Sequence, residues 1–229
     1  MATLSSGWAE GAVAVLAKEL RTELRGKVAL SSLLLFSVTT LSVVSFTLAG
    51  VAPEARVSAS FLWAILLFAS LSGLSRAFVR EEETGTALAL RLSSHPQAVF
   101  LGKLLFNMAL LAVLEVLVAV LFTAMLGVRV PHPDMLVVLL VVGNAAVSLP
   151  TTLTAAIVSR ASATGALFGV LSFPLLLPPL ILLAKGSTVA LGALASWREL
   201  IPVFRLLISY TGALFVVGLF LFEYIWREG

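Results

Sequence analysis

Six long runs that carry no charged side chain, or only one, constrain what this chain can fold into more than any other feature. They are Val28 to Pro53, Val57 to Ser75, Leu104 to Val128 with Glu115 inside it, Met135 to Ser159, Ala161 to Ala184 and Leu206 to Phe222. A helix rises about 1.5 Å per residue, so roughly 20 apolar residues cross a hydrocarbon core of about 30 Å. The runs are of that order. Composition agrees: 60% of the 229 residues are apolar and 12% charged, against roughly 45–50% and 25% in an ordinary soluble domain. A soluble chain of this size needs a more polar exterior. The fold class implied is an all-α integral membrane protein with six transmembrane helices and both ends on one side.

Several chemistries are excluded or disfavoured by what the chain lacks. With no cysteine there is no disulfide scaffold, thiolate nucleophile or cysteine-held metal. No G-x-x-x-x-G-K-[ST] loop is present to cradle a nucleotide phosphate, and no H-E-x-x-H to bind zinc. The two histidines, His95 and His132, stand beside prolines in turn-like sequences. No catalytic residue and no metal site is expected, and no cofactor bound by the chain itself. The net charge of +3 is spread over short flanks, a pattern of membrane orientation, not nucleic-acid binding. The first strong apolar run begins only at Val28, so no cleavable leader is expected.

Lys and Arg in short flanks orient a membrane protein. With the N-terminus in the cytoplasm, ten face inward (Lys18, Arg21, Arg25, Lys27, Arg76, Arg80, Arg91, Lys103, Arg160 and Arg227) and five outward (Arg56, Arg129, Lys185, Arg198 and Arg205). Both termini are therefore expected in the cytoplasm.

Three segments are expected not to span. In residues 1–27, Trp8, Ala12, Leu16, Leu20 and Leu24 recur every fourth residue, while Arg21 and Arg25 lie off that stripe. This reads as an amphipathic helix in the cytoplasmic interface; packing on protein would produce the same period. In the cytoplasmic connection 80–98, Glu81, Glu82 and Glu83 lead through Thr84 to Gly85, and a short helix through Leu88 and Leu92 is expected to stop at Pro96. A helix of that kind, held along the membrane face, suits a cytosolic partner pressing on it, although a solvated loop is the commoner role for such a run. Outside, residues 185–205 are apolar but broken by glycine, and a re-entrant or interfacial hairpin is expected there. The spanning domain is thus 28–229.

Within the spans, Glu115 is the one ionisable group deep in hydrocarbon, where a charge costs at least about 2.5–3.5 kcal/mol. Two roles suit it: a proton or substrate contact, or a hydrogen-bond partner for Asn144 on the next span. Asn107 and Asn144 need interhelical partners for the same reason. Pro174, Pro178 and Pro179 crowd the fifth span; each removes a backbone donor, so a kink or break suited to gating is expected.

Trp63, the run Leu66-Leu67-Phe68-Ala69-Ser70-Leu71-Ser72-Gly73-Leu74-Ser75-Arg76-Ala77-Phe78, the Glu81 to Gly85 cluster, Lys103, and Phe173-Pro174-Leu175-Leu176-Leu177-Pro178-Pro179-Leu180-Ile181 occur in that order. In this the chain resembles the CcmB family, the membrane subunit of the haem exporter of cytochrome c maturation. The resemblance covers nearly the whole chain. It implies an exporter-type ABC permease of the bacterial inner membrane, working as a homodimer with a separate cytosolic ATPase of the CcmA type, which binds the ATP. Further cytochrome c maturation membrane subunits would stand beside it, with haem as cargo or ATP-driven release of a haem-loaded chaperone as the task. On the same resemblance, Glu81, Glu82, Glu83, Gly85, Leu88 and Leu92 would be the element seated in the ATPase. The alternatives are a proton-coupled carrier using Glu115, or an ABC exporter permease for another substrate.

Overall fold

The computed structural model describes residues 3–48, 50–74, 95–159 and 164–227. Among them are seven helices and no strand: α1 (Thr3–Gly26), α2 (Val28–Leu48), α3 (Ala55–Gly73), α4 (Pro96–Leu126), α5 (Pro133–Val158), α6 (Thr164–Leu191) and α7 (Trp197–Arg227). The last six are long and apolar enough to cross a membrane. This is the multi-pass helical architecture that the charge-free runs imply.

Local chemistry explains the helix ends. Pro96 and Pro133 open α4 and α5 at the first turn, behind the non-helical caps His95 and His132, where the missing proline N–H would have had no partner anyway. Pro96, expected to stop a short preceding helix that lies outside the described residues, also starts α4, eight residues before the apolar run at Leu104. Gly127, at φ +65°, closes α4 in the left-handed region. Lys27 takes the same region at φ +53° between α1 and α2, and the Glu23 carboxylate accepts the Leu30 N–H at 2.8 Å, satisfying one of the open donors at the start of α2.

α5 and α6 pack together, α3 lies on α6, α4 on α5, α2 on α3 and α4, and α7 on α5 and α6; α1 lies along α4. One core cluster runs between α2, α3, α4, α5 and α6 through Leu33, Trp63, Leu111, Leu114, Leu139 and Leu183. A second, of Val15, Val99, Phe100, Leu153, Phe168 and Phe222, joins α1, α4, α5, α6 and α7.

Across residues 185–205, where a re-entrant or interfacial hairpin is expected, α6 continues to Leu191 and α7 begins at Trp197. The charges at Lys185, Arg198 and Arg205 ended the apolar runs but not the helices, because a helix carries polar side chains once it projects past hydrocarbon. At 31 residues, α7 is about 46 Å long. α6 is helical through Pro174, Pro178 and Pro179, as a span can be where neighbouring groups re-satisfy the freed backbone.

Candidate functional site

The first two turns of α4 join three elements. On one side, Gln97 Nε2 donates to Glu223 Oε2 of α7 at 2.7 Å. The Phe100 ring lies 5.2 Å from that of Phe222, which stacks on Trp226 at 5.2 Å. On the other side α1 comes close enough to need small residues. A Cβ on Gly102 would stand 2.6 Å from the Val15 Cβ and 2.7 Å from the Ala12 carbonyl, and one on Gly11 would stand 3.2 Å from the Ala98 Cβ. These contacts advance together along both chains, so α1 and α4 run past each other in the same sense.

At the inner end of that contact lies an ion pair. Lys103, fully buried, places its Nζ 2.9 Å from Glu19 Oε1, whose side chain is 8% exposed; Lys18 approaches the same oxygen at 3.4 Å. Burial alone would raise the Glu19 pKa, but the two ammonium groups, Lys103 foremost, outweigh it and hold the carboxyl below its ordinary value. Such a pair is costly to assemble and more costly to break from one side, since the remaining charge stays in a low-dielectric site.

The line of α1 that faces the protein is therefore Ala12, Val15, Glu19 and Glu23, all buried. The apolar stripe lies on its flank. Trp8, Leu16 and Leu20 are half-buried, Leu24 is 69% exposed, and Arg21 and Arg25 are exposed. Glu19 escapes a reading by apolar period because its buried position is polar. The available signal was Lys103, a lone lysine in the apolar stretch Leu101-Gly102-Lys103-Leu104-Leu105, which requires a counter-charge wherever it is buried.

Farther along, α4 and α5 share a polar seam. Asn107 Nδ2 donates to Thr152 Oγ1 at 2.8 Å, and Asn144 Nδ2 donates to Glu115 Oε2 at 2.9 Å and to the Met108 carbonyl at 3.1 Å. The pairs 107 with 152 and 115 with 144 share one antiparallel register, with Ser148 between them on α5. The expected contact between Glu115 and Asn144 is thus present. Asn107 Oδ1, Glu115 Oε1 and Ser148 Oγ are buried with no hydrogen-bond partner among the described residues.

Two further sites tie the helices. Trp63 of α3 is buried against Gly143 of α5, and its Nε1 donates to Ser187 Oγ of α6 at 2.8 Å. In the proline-rich stretch of α6, Pro179 is buried while Pro174 and Pro178 face outward; Tyr210 of α7 donates to the Leu175 carbonyl at 2.6 Å. Glu81, Glu82, Glu83, Gly85, Leu88 and Leu92 lie outside the described residues. No group of three or more potential metal ligands occurs among the described residues.

The CcmB protein family model matches residues 10–224. Heme exporter protein B of Rhodobacter capsulatus is 31% identical over 173 residues, which cover 73% of this chain and 78% of that protein. Heme exporter protein B of Pseudomonas aeruginosa is 30% identical over 192 residues, covering 82% and 85%. The family match runs from Glu10 in α1 to Tyr224 in α7 and so takes in every spanning helix described above: the chain belongs to the CcmB family.

Proposed function

We propose that this chain is the membrane-spanning permease subunit of an ABC transporter complex for cytochrome c biogenesis, serving haem export or the ATP-driven release of a haem-loaded chaperone. The observation that carries this reading is the family match across all six spans, supported by relatives named Heme exporter protein B. It is a transporter subunit and not an enzyme: a separate cytosolic ATPase of the CcmA type binds and hydrolyses ATP. The chain lies in the bacterial inner membrane with both termini in the cytoplasm, following the ten-to-five distribution of Lys and Arg. Two copies associate, with other cytochrome c maturation membrane subunits beside them. Residues 80–98, with Glu81, Glu82, Glu83, Gly85, Leu88 and Leu92, receive the thrust of the ATPase, and the packed helices move between two arrangements. The α1 helix lies along the cytoplasmic interface, its flank of Trp8, Leu16, Leu20 and Leu24 in the headgroup region and Arg21 and Arg25 toward anionic lipid. Pro174, Pro178 and Pro179 mark where α6 bends as the bundle gates.

The test is capture of the tagged chain from detergent-solubilised membranes. An ATPase should co-purify, and Glu83→Lys with Leu88→Asp should release it while the variant chain stays folded. Cytochrome c maturation should fail in the same variant. A chain purified alone that pumps protons in vesicles through Glu115 would instead support the carrier.

A further inference from the structure

Three side chains in the seam between α4 and α5 each keep a polar atom unspent. Asn107 and Ser148 are fully buried and Glu115 is 4% exposed, yet Asn107 Oδ1, Ser148 Oγ and Glu115 Oε1 have no hydrogen-bond partner among the described residues. Ser148 is the most informative of the three. A hydroxyl inside a helix has a carbonyl within reach one turn back, and its neighbours on α5 use theirs. Thr151 donates to the Val147 carbonyl at 2.9 Å, Thr152 to that of Ser148 at 2.6 Å and Thr154 to that of Pro150 at 2.8 Å. Ser148 makes no such bond. Asn144 and Thr152, one turn to either side of it, both bond side chains of α4, so Ser148 stands on the face of α5 turned toward α4.

The spacing shows what fits there. Asn107 and Glu115 are eight residues apart on α4, about 12 Å along the axis, and Ser148 lies midway, about 6 Å from each level. That is too far for a direct bond, but two O–H···O bonds of about 2.8 Å through one bridging oxygen span it. We infer that the seam binds two water molecules, one between Asn107 Oδ1 and Ser148 Oγ and one between Ser148 Oγ and Glu115 Oε1. Donor chemistry selects water over a cation. The serine hydroxyl gives its hydrogen to one water and accepts from the other, and each water bonds its amide or carboxyl oxygen, whichever protonation state Glu115 holds. A cation would leave the hydroxyl hydrogen without an acceptor. Two polar partners are the fewest that hold a buried water, so each of the three side chains is needed. With both waters in place, hydrogen bonding runs unbroken along the seam from Thr152 to Asn144.

Radiolytic hydroxyl labelling of the full chain in nanodiscs, read by mass spectrometry, tests this, because X-rays convert a bound water into a radical that marks the side chain beside it. Leu111 lies opposite Ser148 in the register and should be labelled. Leu139, equally buried but placed against Gly186 in the apolar core, should not. Ser148→Ala removes the partner that the two waters share, so the label on Leu111 should fall to the level of Leu139. Glu115→Gln retains groups that bond water and should keep the label. Equal labelling of Leu111 and Leu139 in the wild type would overturn the inference without recourse to any variant. A Leu111 label that survives Ser148→Ala would overturn it too, since the radical would then come from water held elsewhere. A density map fine enough to show ordered waters should place one oxygen on each side of Ser148; protein donors seated directly on Asn107 Oδ1 and Glu115 Oε1 would refute the two sites.

Discussion

The Tyr210 hydroxyl donates at 2.6 Å to the carbonyl of Leu175, which is the carbonyl that Pro179, four residues on, leaves without its helical N–H. A donor from α7 thus replaces the backbone donor that proline removes from α6. In hydrocarbon an unsatisfied carbonyl costs several kcal/mol, so the proline and the tyrosine form one design.

Tyr210→Phe should destabilise the protein in detergent by about 1–2 kcal/mol, the cost of an unmade buried hydrogen bond. In a Pro179→Ala background, where Leu175 regains a backbone donor, the same change should cost little. A thermal double-mutant cycle measures the difference, and equal costs in both backgrounds would refute the compensation.

At Gly143, a Cβ would stand 2.3 Å from the Trp63 ring. Gly143→Ala should therefore cost about 1–3 kcal/mol through overpacking. Trp63→Phe should relieve most of that strain, although alone it gives up the hydrogen bond to Ser187. Unfolding in denaturant at fixed detergent, read by tryptophan fluorescence for the Gly143 variant and by circular dichroism for all, tests the pair.

For Glu115, a glutamine keeps an oxygen toward Asn144 and removes the ionisable group. If the residue serves as interhelical packing, Glu115→Gln should match the wild type in stability and in cytochrome c maturation. Glu115→Ala should lose about 0.6 kcal/mol or somewhat more, the scale of such bonds in membrane bundles. A folded Glu115→Gln protein without activity would assign the carboxyl to proton handling.

Acid should loosen α1 through Glu19. Its pKa is depressed in the folded protein, so its charge contributes stability above the ordinary carboxylate range, and that contribution is lost as pH falls through the depressed folded value. Proteolysis of α1 should stay slow through neutral and mildly acidic pH and accelerate only below that range. Glu19→Gln should be cleaved faster at neutral pH and show less change on acidification.

Much of this molecule is legible in residue order. The six spans follow from charge-free length, and the link between Glu115 and Asn144 follows from the cost of leaving either alone in lipid. The ends of the helices were less legible. Lys185, Arg198 and Arg205 look like boundaries, yet a helix longer than the membrane is thick carries charge past the hydrocarbon without ending. Pro96 also opens α4, because proline's missing donor is tolerated at the first turn of a helix. The inward line of α1 was hidden more deeply, since its most consequential member is a glutamate.

Hydrophobic length alone determined that the chain crosses a membrane six times, because transfer free energy sums along a sequence whatever the partner. Which carboxylate meets Lys103, which carbonyl receives Tyr210 and which glycine admits Trp63 were decided only by the tertiary structure. These are contacts between groups 84, 35 and 80 positions apart in the chain, and a pairing of that range depends on helix rotation and approach, which no local pattern encodes.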